Sequence, residues 1–289
     1  MTFSDFKFYD SEVKCLVNKV LDSVKNKSFS DYVLLLAHGG YQIENEHTPF
    51  SPYVISSRLE AYQDRTREQF LVDYLNMYEG SLKDCIAVTN DYREYDLNVQ
   101  MMIYAQVWES HQLLKSLKRI GSILTGTSYE WRISFEVVNK KGEVRQRPKG
   151  KIMEDQIMPA LRKGSSELAQ FVEKYYDKQL RNDFAHASYF ISVEENAIMS
   201  LDSERYSIKK KTGLFEWDEI FINSVMLSYY LPHIIRERCD NFIKDYPEIP
   251  SVEIDWPSYI KPGKTIKTQI VPKDNKWGVE FFFKHDNLY

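Results

Sequence analysis

The stretch KQLRNDFAHASYF, residues 178–190, places an arginine, an amide, a carboxylate and an imidazole within six positions. These are Arg181, Asn182, Asp183 and His186, and phenylalanine and alanine stand between them. A surface helix normally sends its charged side chains to the solvent face and its apolar ones to the core. The mixture of reactive and apolar side chains in so short a segment indicates a functional site on a helix.

The chemistry of these groups suits cleavage of RNA. In a regular helix Asn182 and His186 share a face, whereas Arg181 and His186 are about 140° apart. A helix break near Asp183, or the length of the arginine side chain, would let them converge on one phosphate. The histidine could then take the proton of a ribose 2′-hydroxyl, while the arginine stabilises the charge that develops on the phosphate.

A structural interpretation of the same residues stays open. Arg181 could form a salt bridge with Asp183 or Asp177, and His186 could be a half-buried histidine with satisfied hydrogen bonds. That interpretation gives the segment no chemical role.

Hydrophobic periodicity predicts a mainly helical chain with short β excursions. The expected elements are an N-terminal helix capped by Asp10 or Ser11, a helix over 56–80, an unbroken central helix over 96–124, a hairpin over 129–148, a helix over 151–164 interrupted at Pro159, three strands over 188–210, a long helix over 212–243 and a small β extension from Tyr246.

Composition bounds the function class. The 289 residues carry a net charge of -4, so the chain as a whole is not a basic nucleic-acid binder, although local patches count more than the sum. No signal peptide and no apolar stretch of about 18 residues is found, which predicts a cytoplasmic protein without a membrane segment. Phosphate-binding glycine loops and a nucleophile elbow are missing from the sequence, and no cofactor or metal is expected.

The segment RNDFAH, 181–186, resembles the R-x4–6-H motif of the HEPN superfamily, including the asparagine that often follows the arginine. The resemblance extends over roughly residues 55 to 245. It implies a HEPN-like helical bundle at 53–245, between an N-terminal helical segment at 1–52 and a C-terminal β extension at 246–289. It also implies a homodimer with the two motifs facing across a two-fold axis. Many members of the family are metal-independent endoribonucleases of toxin–antitoxin or phage-defence systems.

Carried onto this chain, the resemblance makes Arg181 and His186 the catalytic pair, with Asn182 positioning them. Asp183 is a supporting residue. Glu109, in WESHQLLK on the expected central helix, could orient Arg181 or His186, or could lie on a solvated helix face.

Two basic segments could form an RNA track on this acidic protein, although charged hairpin tips are usually just solvated. The first segment comprises Lys140, Lys141, Arg145, Arg147, Lys149 and Lys151. The second is Lys209–Lys211.

Two other interpretations remain beside the ribonuclease. A non-catalytic HEPN-like scaffold would bind a protein or nucleic-acid partner without needing His186 as a base. The ribonuclease itself could have an antitoxin or another regulatory protein as a partner. An unrelated helical interaction protein would not bring Arg181 and His186 together in space.

Overall fold

A computed structural model describes residues 1–41, 53–54, 58–83, 90–131, 133–138, 142–192, 194–202, 205, 207–257, 265–276 and 278–284. Over these ranges the chain is mainly α-helical with small antiparallel sheets, as the sequence predicts. No helix in these ranges is both long and apolar enough to cross a membrane.

The helices follow the order of the predicted segments with some changes of boundary. They are α1 (Phe3–Lys27), α2 (Phe29–Leu36), α3 (Arg58–Lys83), α4 (Asn90–Glu109), α5 (His111–Leu124), α6 (Lys149–Ile152), a π-helical turn (Met153–Ile157), α7 (Met158–Gly164), α8 (Ser166–Tyr175), α9 (Lys178–Ala185), α10 (Leu214–Asp240) and α11 (Phe242–Asp245).

The strands pair in four small antiparallel sheets, ordered β1-β2, β3-β4, β5-β6-β7 and β8-β9-β10. They are β1 (Gly40–Tyr41), β2 (Tyr53–Val54), β3 (Glu136–Val138), β4 (Val144–Gln146), β5 (Tyr189–Ser192), β6 (Ala197–Asp202), β7 (Ser207–Gly213), β8 (Val252–Pro257), β9 (Thr265–Asn275) and β10 (Gly278–Phe283). The hairpin, the three-stranded excursion after the motif and the C-terminal β extension are therefore present.

The predicted unbroken central helix is wrong, because the chain forms two helices there. Ser110 separates α4 from α5 and has an extended backbone, with φ -63° and ψ 115°. Its hydroxyl caps α5 by accepting the N–H of Leu113 at 3.3 Å. The apolar period continues through the break, which is why periodicity alone does not find it.

Two other expected boundaries also change. The N-terminal helix begins at Phe3 instead of Asp10 or Ser11, because Thr2 and Asp5 form a capping box that satisfies the first free N–H groups. Pro159 does interrupt its helix, since it lies at the start of α7 directly after the π-helical turn.

The long helix α10 is the centre of the core. It packs against α1, α3, α4 and α8 and carries sixteen buried residues. Trp217 is fully buried, stacks on Phe221 and donates its indole N–H to Gln100 of α4 at 2.8 Å. Each fully buried large apolar side chain contributes about 1.5–3 kcal/mol, so α4 and α10 form a firm base for the motif helix α9, which packs on α4.

The three predicted segments contact one another. Residues 1–52 supply α1, which packs on α10, and the hydroxyl of Tyr230 donates to Asp10 at 2.5 Å. The expected boundary between residues 52 and 53 falls between the paired strands β1 and β2. In the C-terminal extension β8 packs on α2, and β10 packs on α10.

Candidate functional site

The motif helix α9 begins at a joint held by polar contacts. Asp177 is its N-cap and accepts the N–H of Leu180 at 2.9 Å, while its second carboxylate oxygen contacts Lys210 of β7. The hydroxyl of Tyr104, fully buried on α4, accepts the N–H of Asp177 at 2.6 Å and donates to the carbonyl of Tyr175 at 3.2 Å. These contacts fix the start of α9 to both α4 and the β5-β6-β7 sheet.

The end of α9 is a Schellman motif with His186 at the C-cap. Ser188 donates its N–H to the carbonyl of Asp183 at 2.8 Å, and Ala187 donates to the carbonyl of Phe184 at 3.2 Å. Ala187 takes a φ of 51°, in the left-handed region that favours glycine. The helix break near Asp183, one of the two ways for Arg181 and His186 to converge, is therefore not found, since α9 continues to Ala185.

Arg181 is the most enclosed cation of the motif, with 11% of its side chain exposed. Its Nη1 contacts the carboxylate of Glu109 at the end of α4, and its Nη2 donates to Asn182 at 2.7 Å. Its Nε is buried and finds no acceptor in the described part of the chain. Of the partners that the sequence left open, Arg181 takes Glu109 and not Asp177 or Asp183.

His186 lies apart from this cluster. Its side chain is exposed, and its backbone N–H donates to the carbonyl of Asn182 at 2.9 Å. Because α9 is regular from 178 to 185, Arg181 and His186 stay about 140° apart around the helix axis. No hydrogen bond joins their side chains among the described residues, so convergence within one chain is not found, and His186 is not the half-buried histidine of the structural interpretation.

Asp183 points into the protein, with only 1% of its surface exposed. It accepts a hydrogen bond from the Gln179 amide at 2.5 Å. Burial raises the pKa of Asp183, and the nearby hydroxyl of Ser200 on β6 and the Gln179 amide act against that rise. Its hydrogen bond to Gln179 stays within α9, which packs on β6, so its supporting role in the site stays a prediction.

The basic hairpin is only partly within the described residues. Lys140 and Lys141 lie outside them. Arg145 on β4 is exposed and pairs with Glu143 at 2.8 Å. Among the described residues, no hydrogen bond or ion pair joins Arg145 to the motif helix.

The cations that follow the hairpin lie around the start of α6. Arg147 contacts Asp155, and Lys151 donates to Glu154 at 3.1 Å. The second oxygen of Glu154 accepts from Lys178 of α9 at 2.6 Å. This end of the predicted RNA track is thus joined to the motif helix through a shared carboxylate.

Lys149 is the residue of the predicted RNA track that interacts electrostatically with the motif residue Arg181. Its ammonium contacts Nε2 of His111, the first residue of α5, and lies 5.5 Å from the ring centre of Phe135. Burial lowers the pKa of Lys149, the charge of Arg181 lowers it further and the charge of Glu109 raises it. Lys149, Arg181 and Glu109 are thus close enough to form one electrostatic cluster.

His111 is the residue that sequence reasoning gave no role. In an unbroken helix residues 109 and 111 would lie about 200° apart, on nearly opposite faces. The break at Ser110 changes this, so that Glu109 contacts Arg181 while His111 contacts Lys149. A serine between two polar residues is a favoured N-cap signal, and it could have indicated the break.

The second basic segment lies beside α9. Lys210 contacts its N-cap, as described above, and the charge of Lys209 lowers the pKa of Asp183. Lys211 pairs with Glu195 at 2.5 Å.

Histidine, cysteine and carboxylate side chains in the described ranges form no cluster of three that could hold a metal ion. Compared with family models, with curated proteins and with solved structures, the chain finds no match.

Proposed function

We propose that this chain is a metal-independent endoribonuclease of the HEPN type, built on a HEPN-like helical bundle. The observation that supports this best is the placement of RNDFAH at the end of a firmly anchored helix. Arg181 is held by two partners near the surface, and His186 is exposed at the helix tip. A general base must reach its substrate, and the exposure of His186 allows that.

In the proposed reaction His186 takes the proton of a ribose 2′-hydroxyl, whose oxygen attacks the adjacent phosphorus. Arg181 stabilises the charge on the non-bridging oxygens through its forked donors. The bond between phosphorus and the 5′-oxygen breaks, and that oxygen takes a proton from an acid. The products are a 2′,3′-cyclic phosphate and a 5′-hydroxyl end.

A second copy of the chain supplies the acid in this proposal. One chain presents His186 and Arg181 at separate points of α9. In this proposal both the acid and the meeting of base and arginine on one phosphate therefore depend on the second copy. A two-fold axis through the ends of two α9 helices would bring two imidazoles together, one as base and one as acid. Sedimentation at micromolar concentration tests this, and an active chain that stays monomeric would contradict it.

The nature of the cleaved ends tests the chemistry. The purified protein is incubated with a mixed-sequence RNA in the presence of EDTA, and the new ends are identified by their reaction with kinase and phosphatase. We expect cyclic phosphate ends and undiminished cleavage. Ends with a 3′-hydroxyl, or cleavage that needs an added divalent ion, would contradict the mechanism.

The second candidate function is a non-catalytic scaffold of the same fold that binds a protein or nucleic acid. The observation in its favour is the commitment of Arg181 to Glu109 and Asn182, which is also what a structural arginine would show. The two functions differ in their need for His186, since a scaffold keeps its partner after His186→Ala.

The resemblance to the HEPN superfamily also suggests a biological role. A toxin or phage-defence nuclease needs control by an antitoxin or another regulatory protein, and we place this chain in that class as part of the proposal.

A further inference from the structure

The break between α4 and α5 creates a cluster of four charged or titratable side chains that the cleavage mechanism does not use as a unit. Glu109 ends α4, His111 begins α5, Lys149 begins α6 and Arg181 lies on α9. Four separate elements therefore bring one carboxylate, one imidazole, one lysine and one arginine to one place at the surface.

The contact between Lys149 and His111 favours the neutral imidazole. A lysine ammonium has only donors, so a hydrogen bond from it requires Nε2 of His111 to be the acceptor and the ring proton to be on Nδ1. Partial desolvation lowers the pKa of His111, and the charges of Lys149 and Lys115 lower it further. The imidazole ring is exposed on one side and faces Phe135 on the other, at 5.6 Å between ring centres.

The two cations of the cluster share one carboxylate. Glu109 contacts Arg181 and acts electrostatically on Lys149, yet it is itself 49% exposed and free to move into solvent. Lys149 contacts a neutral imidazole instead of a carboxylate. An anion that replaced Glu109 would therefore meet two cations whose positions are already set.

Two buried donors near Arg181 also have no acceptor in the described part of the chain: Nε of Arg181 itself and the hydroxyl of Tyr176. The charges of Arg181 and Glu109 both act on Tyr176. An unsatisfied buried donor destabilises the folded chain, so an oxygen-rich ligand at this place would remove a cost that the chain alone carries.

We propose that Arg181, Lys149 and His111 form a binding site for a phosphate group, from which the bound anion displaces the carboxylate of Glu109. The phosphate belongs either to a nucleic-acid backbone or to a free phosphate anion. The site lies on the α4 side of α9 and shares Arg181 with the proposed cleavage reaction, to which it adds Lys149 and His111. In that respect it rests on the proposed function, but it requires binding only and is tested without cleavage.

The site predicts a coupling between anion binding and protons. Glu109 and Arg181 face Lys149, and Lys149, Lys115 and Phe135 face His111. An anion beside Lys149 favours the charged imidazole, so binding should take up a proton on His111 and strengthen as the pH falls. Sulfate is the better probe for this, because it stays a dianion over the whole range whereas phosphate itself titrates.

Calorimetry with sodium sulfate at constant ionic strength tests the proposal on the full chain, near pH 5.5 and pH 8. Lys149→Gln should weaken binding by about tenfold or more, as expected for loss of a charge-assisted hydrogen bond. Glu109→Gln should tighten binding, and His111→Asn should remove its pH dependence. Arg145→Gln is the matched control, since it removes one exposed positive charge on the hairpin and should leave binding within about twofold.

Two results would overturn the proposal: no saturable binding of sulfate, or binding that is indifferent to both Lys149→Gln and His111→Asn in variants that remain folded by circular dichroism. Competition with a short oligoribonucleotide separates the two sources of phosphate. Displacement of sulfate by the oligonucleotide identifies a backbone phosphate, and its failure identifies a free anion as the ligand. Repeating the titration on His186→Ala keeps the result independent of cleavage, because that variant should bind sulfate like the parent.

Discussion

Glu109, the last residue of α4, contacts the guanidinium group of Arg181 on α9, and the arginine is the enclosed member of the pair, 11% exposed against 49% for the glutamate. The pair therefore orients the arginine more than it stabilises the fold. A half-exposed carboxylate gains little from an ion pair, because solvent screens it.

We expect Glu109→Gln to change the free energy of unfolding by less than about 1 kcal/mol, for this reason. Arg181→Ala should instead lower RNA cleavage by roughly 10²–10³-fold, as loss of one stabilising donor group does in other active sites. Urea unfolding and single-turnover cleavage measure the two effects. A Glu109→Gln variant that loses several kcal/mol of stability would show that the pair is structural.

The buried carboxyl of Asp183 predicts a pH dependence of stability. Its pKa in the folded chain is raised above 3.8 by burial, so the folded state holds the proton more tightly than the unfolded state. Its stabilising contribution is therefore fully present below 3.8 and is lost as the pH rises through the raised value. Asp183→Asn should remove that loss, and the stability difference between variant and parent should grow in favour of the variant between about pH 4 and pH 7.

The matched control for Asp183 is Asp73→Asn. Asp73 also accepts from a glutamine four residues before it, Gln69 at 2.9 Å, but it is exposed on α3. Its substitution should leave the pH profile of unfolding unchanged. An equal effect of both substitutions would rule out burial as the cause.

Ala187 holds a left-handed backbone conformation at the end of the motif helix, with φ 51°. A residue with a Cβ atom pays about 1–2 kcal/mol there, and glycine avoids this cost. Ala187→Gly should therefore stabilise the protein, whereas Ala185→Gly, inside α9, should destabilise it by about 0.5–1 kcal/mol. Thermal or urea unfolding of the two variants tests this, since the free energy of unfolding should rise for Ala187→Gly and fall for Ala185→Gly.

We expect the Ser110 cap both to stabilise the protein and to keep the residues of the site in their positions. Ser110→Ala removes the side chain that accepts the N–H of Leu113, at a cost of about 1 kcal/mol, and Ser110→Asp restores the acceptor. Because the same cap separates Glu109 from His111, Ser110→Ala should also weaken sulfate binding. If Ser110→Ala lowered stability without changing sulfate binding, the cap would not be needed for the arrangement of the site.

The sequence predicts the helical class and the short β excursions because these depend on local signals. Periodic apolar residues indicate α10, and the KKGE sequence indicates the hairpin whose strands β3 and β4 the structure pairs. It does not predict the break at Ser110, since a helix and a capped break carry the same apolar spacing there.

The candidate site, too, is only partly predictable from local signals in the sequence. The motif RNDFAH can be found by spacing, and Glu109 can be suggested as a partner from its place on the preceding helix. The contact of Lys149 with His111 joins residues 38 positions apart, and no local pattern records it. The separation of Arg181 from His186 depends on where α9 ends, which is decided by the Schellman contacts of Asp183 and Phe184 with the residues after the helix.

The most direct test of the proposed ribonuclease is the single-turnover cleavage rate of His186→Ala on one RNA, measured beside its binding isotherm. His186 is exposed and its side chain makes no hydrogen bond within the described part of the chain, so its loss should leave the fold and the proposed dimer intact. We expect cleavage to fall by about 10²–10⁴-fold, the usual contribution of a general base, while RNA affinity changes by no more than a few-fold. A folded His186→Ala variant that cleaves as fast as the parent would contradict the proposal and favour the scaffold in its place.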